Sequence, residues 1–410
     1  MSSEIDQDII QIGESLVRFI ETEVLPLERA NTTLLSSERT MFDERGRYMP
    51  EVLALRRKVR MKSAEAGFYT MLAPVELGGG GLDTVAAVYL QELVGRLYGP
   101  ERTLIYPVVI PSPFTNGLSP VLTFLQPELK QKVLRGIASG EKTLCFALSE
   151  PDAGSDVMAI KTTAKRDGDD WIITGSKQWI TNSPYADYAM VFAITDPEAV
   201  AARQGGISAF FVETGAAGFD VTSVIPLMGH LGGDTGIIAL DGVRVPDTSR
   251  IGELGEGLSV AMHGINCGRL GMASTCLGYA EWGIALSTEY AKQRKTFGKM
   301  IAEHQAIQLH LADAAMDIFA AKSIIMTCAK RIDQGQSARA EIAMAKAYAT
   351  EMLSRVMDRC IQVHGGIGLT NEVRLEAGYR FARTMRIPDG TGEIQRRTIA
   401  QELLKGRLVF

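Results

Sequence analysis

Apolar residues recur at intervals of three and four in three stretches of the first 140 residues. The stretches cover residues 9–25, 52–66 and 85–97, and clusters of glycine and proline separate them. This spacing places apolar side chains along one face of an α-helix. The pattern therefore predicts an N-terminal region built from amphipathic helices.

The pattern changes between residues 144 and 245, where short runs rich in valine, isoleucine, threonine and aromatic residues follow one another. The runs are TLCFALSE, DWIITG, DYAMVFAIT, ISAFFVE and IIALDGVRVP. Such compositions are typical of β-strands. Because the strands are consecutive and do not alternate with helices, they predict a β-domain inserted between two helical ones.

Helical spacing returns after the glycine-rich stretch IGELGEG and continues almost to the C-terminus. One apolar stripe advances in steps of four and three, which predicts a single long helix that packs in a bundle. Its members are Ile307, Leu311, Ala314, Ile318, Ala321, Ile325, Cys328 and Ile332. We predict three domains, a helical one at 1–140, a β-domain at 141–248 and a helical bundle at 249–410.

Composition narrows the class of protein. Hydrophobic residues make up 46% of the 410 residues and charged residues 22%, a balance that excludes a disordered or fibrous chain. The net charge of −5 offers no basic footprint for nucleic acid. No apolar run approaches the ~20 residues that cross a bilayer, so we expect no membrane partner.

The five cysteines form no CxxC pair and predict reduced thiols that pack as small core residues. The first residues, MSSEIDQDIIQ, resemble no secretory or transit segment. These features predict a cytoplasmic protein.

Several common catalytic motifs are missing from the chain. No GxGxxG follows a strand, and neither a P-loop nor a GxSxG sequence occurs. The five histidines include no pair at metal-ligand spacing on one helix face. We therefore expect no metal, and nicotinamide-binding and serine hydrolase classes are disfavoured.

Four segments carry the strongest signal. They are FALSEPDAGSD (146–156), WITN (179–182), RKTFGKMIAEHQAIQ (294–308), and QVHGGIG (362–368) with RIPDGTGEIQRR (386–397). Alone, each segment is typical of a turn or a helix end. In this order and spacing, over nearly the whole chain, they resemble the signature motifs of the FAD-dependent acyl-CoA dehydrogenase family.

The resemblance implies an α+β multidomain fold with an N-terminal α-helical domain, a middle β-barrel-like domain and a C-terminal four-helix bundle. It also implies FAD as cofactor and contacts to it from the first two segments. By this likeness, the residues along the flavin or the thioester arm are Phe146, Leu148, Ser149 and Ser155. Trp179 would lie against the flavin ring, and the Thr181 hydroxyl would lie at the flavin N5 atom.

The third and fourth segments imply a cofactor shared between subunits. In isolation Arg294 is best interpreted as a solvated charge at a helix end. By the resemblance it binds the FAD pyrophosphate, with further cofactor contacts from Phe297, Gln305, Gln362, Gly365 and Gly366. We therefore expect a homotetramer, with an acyl-CoA substrate and an electron-transfer flavoprotein as partners.

The resemblance also indicates a catalytic base. The family most often carries glutamate in an EGT motif, and the matching residues here are Asp389, Gly390 and Thr391. Some members instead carry the glutamate directly before the position of Arg269, but that residue is Gly268 in this chain. Asp389 is thus the predicted base, Thr391 a predicted cofactor contact, and Ser155, Arg269 and Gly390 predicted substrate contacts.

The side chain of Asp389 is shorter than the usual glutamate, and the sequence does not specify the acyl group of the substrate. The shorter side chain motivates the hypothesis that the site accepts a bulkier, branched or cyclic acyl group. Pro-Asp-Gly is also ordinary turn chemistry. Two other functions therefore remain as alternatives. One is a nitroalkane-oxidase-like flavin oxidase, because those relatives use an aspartate base. The other is a flavin-binding protein of this fold without turnover.

Overall fold

Helices occupy both ends of the sequence and strands occupy its middle in the computed structural model, which describes residues 5–112 and 114–408. The helices that precede the sheet are α1 (Gln7–Phe19), α2 (Leu25–Ala30), α3 (Thr32–Leu35), α4 (Glu38–Met41), α5 (Pro50–Glu65), α6 (Thr84–Tyr98) and α7 (Pro127–Ala138). A short helix α8 (Pro197–Ala201) interrupts the strands. The remaining helices are α9 (Gly257–Gln293), α10 (Gln305–Asp333), α11 (Arg339–His364), α12 (Leu375–Met385) and α13 (Gly392–Leu404).

In the described part of the chain, eight strands form one sheet and two more form a separate hairpin. The sheet strands are β1 (Leu144–Ala147), β2 (Thr163–Asp167), β3 (Asp170–Thr181), β4 (Tyr188–Ile194), β5 (Ile207–Glu213), β6 (Phe219–Val224), β7 (Thr235–Pro246) and β8 (Arg250–Ile251). Their order is β6-β7-β3-β2-β4-β5-β8, and β1 pairs in parallel with β4. The mixed helical and sheet fold predicted from the sequence is confirmed.

Contacts divide the chain into two units that draw on separated segments. One, called here the helical unit, consists of Met1–Val17, Asp83–Arg102 and Gly268–Phe410. The other, called the sheet unit, consists of Arg18–Leu82 and Thr103–Cys267. The predicted division at residues 140 and 248 stays a prediction.

The central strands of the sheet unit are buried on both faces. Along β4, Met190 and Phe192 belong to one apolar cluster, whereas Ala189, Val191 and Ala193 belong to another. Alternate side chains of a strand point to opposite faces of its sheet. Coverage of both faces explains why DYAMVFAIT is apolar at nearly every position.

Strand β3 is irregular where it approaches WITN. Its antiparallel pairing with β7 shifts register between Lys177 and Ile180. Such a bulge re-aims the side chains within it. Trp179 lies in this bulge with φ +64° and an exposed side chain.

The apolar stripe predicted for the long helix α10 is confirmed. Its members Ala314, Ile318, Ala321, Ile325 and Cys328 are buried in the core of the helical unit. The three outer members of the predicted stripe are half-buried. Steps of three and four along a helix therefore located the buried face correctly.

Two local predictions need correction. Cys145, Cys276, Cys328 and Cys360 are buried as predicted, but Cys267 is exposed. The segment after α9 contains a hairpin of β9 (Lys295–Thr296) and β10 (Lys299–Met300) that helical periodicity could not indicate. None of the helices in the described ranges combines the length and apolarity that crossing a membrane requires.

Candidate active site

The predicted base lies in the short segment between α12 and α13. Asp389 is half-buried and has φ +56°, and Gly390 follows with φ +91°. A left-handed conformation at a residue other than glycine costs about 1–2 kcal/mol. Thr391 begins the next helix, since its hydroxyl accepts a hydrogen bond from the Ile394 N–H at 3.4 Å. The neighbouring structure must therefore hold this turn.

Three side chains from different helices hold it by binding its carbonyl groups. Arg269 of α9 donates through Nε to the carbonyl of Asp389 at 2.8 Å. Gln395 of α13 donates through Nε2 to the carbonyls of both Asp389 and Gly390, each at 3.0 Å. Lys346 of α11 donates through Nζ to the Gly390 carbonyl at 2.9 Å. Asp389 is thus fixed by its backbone.

The same arrangement tunes the carboxyl group of Asp389. Burial raises its pKa to about 6, while Arg269 and Lys346 act in the opposite direction. Burial also lowers the pKa of Lys346 to about 8, against the effect of Asp389. A base whose pKa lies near the working pH is both ionised and able to accept a proton. At neutral pH this carboxylate has both properties.

The loop SEPDAGSD of the sheet unit rests on a buried ion pair. Lys177 of β3 is fully buried, and its Nζ lies 2.7 Å from Oε1 of Glu150. The Glu150 carboxylate also accepts hydrogen bonds from the backbone N–H groups of Lys161 at 2.5 Å and Thr162 at 3.1 Å. Burial raises the pKa of Glu150, but Lys177 and these N–H groups outweigh it and lower the pKa overall. The loop is therefore fixed to the sheet.

The predicted flavin contacts in this loop differ in exposure. Ser155 is exposed, and Ser149 is half-buried with its carbonyl accepting the Gln178 N–H at 2.9 Å. Leu148 is buried in a core cluster, and its carbonyl accepts from Lys177 at 3.2 Å. Phe146 is half-buried and packs against the rings of Phe114 and Phe192.

The bulge of β3 presents the other two predicted contacts of the sheet unit. Trp179 is 54% exposed in spite of its large apolar ring. Ile180 is buried, so alternation brings Thr181 to the exposed side. A left-handed backbone that exposes a tryptophan is costly unless the ring is covered by another group. This feature indicates a ligand with a flat apolar face.

In the helical unit, the third motif lies on the β9–β10 hairpin and the start of α10. Arg294 and Gln305 are exposed, and Phe297 at the hairpin tip is 97% exposed with φ +50°. A cation, an amide and an uncovered ring are suited to a phosphate-bearing ligand beside a second surface. Arg294 here follows a helix end, as predicted.

The fourth motif forms the end of α11. Gln362 is exposed, and Gly365 terminates the helix with φ +63°. A Cβ added at Gly365 or Gly366 would meet no atom within 4 Å. The two glycines thus leave exposed backbone beside open space, where a phosphate can approach closely.

The groups that each unit exposes suit FAD. The sheet unit offers exposed hydroxyls and the Trp179 ring as a stacking face, and the helical unit offers amides, a cation and backbone glycines. Cofactor and substrate roles of the individual residues remain predictions. Within residues 5–112 and 114–408, no group of three metal-ligating side chains comes together.

The sequence prediction missed three buried polar residues that support the site, Lys177, Lys346 and Gln395. The two lysines carry a signal in the sequence. Lys346 falls on the apolar face of AMAKAYAT, three and seven residues before the buried Ala349 and Leu353. Lys177 continues the inward alternation of Trp171 and Ile173. A lysine at an apolar position indicates a specific partner.

Comparison with known proteins identifies the family. The N-terminal, middle and C-terminal domains of acyl-CoA dehydrogenases match residues 7–141, 145–243 and 255–404. The chain belongs to the acyl-CoA dehydrogenase family of enzymes.

Several known proteins align along most of the chain. Subunit CarC of the caffeyl-CoA reductase-Etf complex of Acetobacterium woodii is 36% identical over 88% of this chain and 92% of its own. The human mitochondrial short-chain specific acyl-CoA dehydrogenase is 38% identical over 84% of this chain and 82% of its own. The solved FAD complex of PigA covers 98% of both chains at a TM-score of 0.81 and 27% identity.

Proposed function

We propose that the protein oxidises an acyl-CoA thioester to the 2,3-enoyl-CoA with FAD as cofactor. The observation that carries this proposal is Asp389, a carboxylate with a pKa of about 6 on a turn that three helices hold through its carbonyls. Family membership and the FAD complex of a structural relative support the cofactor.

In the proposed reaction, Asp389 removes the proton from the carbon next to the thioester carbonyl. FAD, when bound, supplies the acceptor for the hydride that leaves the neighbouring carbon. Arg269 and Lys346 favour the ionised form of Asp389 before the proton is taken. The sheet-unit residues assigned to the flavin are Phe146, Leu148, Ser149, Ser155, Trp179 and Thr181. The helical-unit residues assigned to it are Arg294, Phe297, Gln305, Gln362, Gly365, Gly366 and Thr391.

Substrate contacts are assigned to Ser155, Arg269 and Gly390. The hydrogen bond from Arg269 Nε to the carbonyl of Asp389 supports a position for Arg269 beside the proposed base. Gly390 has φ +91°, a conformation that favours glycine, and a Cβ there would lie 2.8 Å from Gln395 Nε2. These contacts support a position for the reacting end of the substrate at the turn.

Partners follow from two further observations. A relative is named as part of an Etf complex, which supports an electron-transfer flavoprotein as the electron acceptor. Leu309, Met316 and Phe319 are exposed along one side of α10, and Phe297 is nearly fully exposed. Apolar surface of this kind is suited to contact between copies of a chain. We assign it to the homotetramer.

The acyl group is proposed to be bulky, branched or cyclic. The aspartate is one methylene shorter than the usual glutamate, and a relative is named for the ring-bearing caffeyl-CoA. The human relative is named short-chain specific, so straight short chains are the decisive comparison. If a straight short-chain ester were the best substrate of a mixed panel, this part of the proposal would be wrong.

The test is anaerobic reduction of the bound flavin, followed by its absorbance. The panel contains straight, branched and aryl-substituted acyl-CoA esters together with a nitroalkane. We expect reduction by at least one CoA ester and a loss of about 100-fold or more in Asp389→Asn. The matched control is Glu393→Gln, an exposed carboxylate four residues away, which should leave the rate unchanged.

The other outcomes point to other functions. Reduction by the nitroalkane alone, with peroxide formed in air, would establish the oxidase that an aspartate base also serves. Flavin that binds but is reduced by no member of the panel would contradict both enzymatic proposals and favour a binding protein. Rate should rise with pH through about 6, since Asp389 must be ionised to act as the base.

A further inference from the structure

Lys346 is a fully buried lysine whose ammonium is directed at the backbone next to Asp389. Its Nζ donates to the Gly390 carbonyl at 2.9 Å, and the carboxylates of Asp389 and Glu351 act on it through space. Burial of a charged group is unfavourable unless the group is compensated. A neutral donor could make the same hydrogen bond, so the hydrogen bond alone does not explain the charge.

The hydrogen bonds that hold the turn go to two successive carbonyl groups. Arg269 and Gln395 bind the carbonyl of Asp389, while Lys346 and Gln395 bind that of Gly390. Both residues have positive φ. Since the donors come from α9, α11 and α13, a change in this backbone would break contacts to three helices at once. The position of the Asp389 side chain is therefore set from outside its own segment.

We propose that Lys346 is a positioning residue for the base, which fixes the turn through the Gly390 carbonyl and holds the Asp389 carboxylate ionised through its charge. This inference rests on the proposed function of Asp389. It adds a residue that lies outside the recognised motifs and is 43 positions away in sequence. A short aspartate gains most from such support, because it has fewer torsions with which to adjust its reach.

The described charges that act on the Asp389 carboxylate come from two helices. Among the described residues whose charge acts on Asp389, Arg269 comes from α9 and Lys346 from α11. Arg339 acts on Arg269, and Glu351 acts on Lys346. Gln395, the contact from α13, is neutral. When the charge of Lys346 is removed, of these two cations only Arg269 still opposes the effect of burial. The pKa of Asp389 therefore rises further.

Three variants separate the hydrogen bond from the charge. Lys346→Gln keeps a donor and removes the charge, Lys346→Met removes both, and Lys346→Arg keeps both. The control is Arg355→Met, which removes a cation from the same helix at an exposed ion pair with Asp317. Each variant is first checked for its melting temperature and for retained FAD.

The first readout uses apoprotein and needs neither substrate nor flavin. Infrared difference titration follows the Asp389 carboxyl band, which is assigned by its loss in Asp389→Asn. We expect a midpoint near 6 in the wild type, a higher midpoint in Lys346→Gln and Lys346→Met, and a wild-type midpoint in Lys346→Arg and Arg355→Met. An unchanged midpoint in Lys346→Gln would overturn the proposed charge effect even if the enzyme were active.

The second readout is the rate of flavin reduction by the best ester. Lys346→Met should lose about tenfold or more in rate, with little change in the ester concentration for half-saturation, and Lys346→Arg should recover most of it. A wild-type rate in Lys346→Met would overturn the positioning role. Failure of the wild type with every ester would instead contradict the proposed function, and the titration would still decide the role of Lys346.

Discussion

Replacement of Lys177 by methionine should destabilise the sheet unit strongly. The Nζ of Lys177 is 2.7 Å from Glu150, and both side chains are buried. The variant leaves a buried carboxylate whose remaining partners among the described residues are two backbone N–H groups. Removing one member of a buried pair costs about 3–5 kcal/mol. For a unit of this size we expect a melting temperature lower by roughly 6 to 20 °C.

The double variant Lys177→Met/Glu150→Gln tests the cause. The amide oxygen still accepts hydrogen bonds from the loop and carries no charge, so we expect recovery of more than half of the loss. The assay is circular dichroism melting at one fixed scan rate, because a chain with two units need not unfold in a single step. If Lys177→Met melted within about 2 °C of the wild type, the reasoning from the buried pair would be refuted.

The stability difference between the wild type and Lys177→Met should depend on pH. In the wild type the pKa of Glu150 is lowered, so its contribution to stability is present above the ordinary pKa of 4.5 and is lost as the pH falls. In Lys177→Met burial dominates and raises that pKa above 4.5. A raised pKa makes stability fall as the pH rises through it. The variant should therefore be closer to the wild type at pH 5 than at pH 8.

Three further predictions concern the helical unit. Burial and the neighbouring Glu281 raise the pKa of Glu92 to about 7, which makes the wild type lose stability as pH rises from about 5 to 8. The melting temperature of Glu92→Gln relative to the wild type should therefore increase with pH, and a constant difference would contradict this. Gly278→Ala should cost about 1–3 kcal/mol in thermal unfolding, because the new Cβ would lie 2.4 Å from the Glu92 carbonyl oxygen, whereas Gly215→Ala meets open space and should be neutral. Phe297→Asn should leave apoprotein melting unchanged or slightly higher, since asparagine tolerates positive φ, but should weaken FAD retention and self-association measured by sedimentation.

Hydrophobic periodicity and short motifs were sufficient to predict much of this fold. Intervals of three and four located the buried face of α10, and consecutive apolar runs located the strands, because both patterns are local consequences of one face being buried. The β9–β10 hairpin escaped because its turn holds Phe297, whereas such turns usually contain asparagine or aspartate before the glycine. Local rules fail where the partner of a residue is distant in sequence.

The supporting residues of the site illustrate that limit. Glu150 and Lys177 lie on different segments, and the contact of Lys346 with Gly390 joins residues 44 positions apart. No window of sequence contains both members of such a pair. A lysine within an apolar stripe signals that a partner exists, but only the fold identifies the carbonyl or carboxylate that it meets.

The shortness of Asp389, the proposed base, and the rigidity of its turn are two parts of one arrangement. A methylene shifts a carboxylate by about 1.5 Å, and a misplacement of about 1 Å can cost two orders of magnitude in rate. A glutamate can recover reach by rotating its side chain, whereas an aspartate depends on where its backbone lies. At Asp389 the backbone is left-handed and bound at consecutive carbonyls by Arg269, Lys346 and Gln395. A longer side chain reaches its position through its own torsions, whereas three helices fix the position of Asp389. If Asp389 is the base, as proposed, the substrate has to fit the carboxylate.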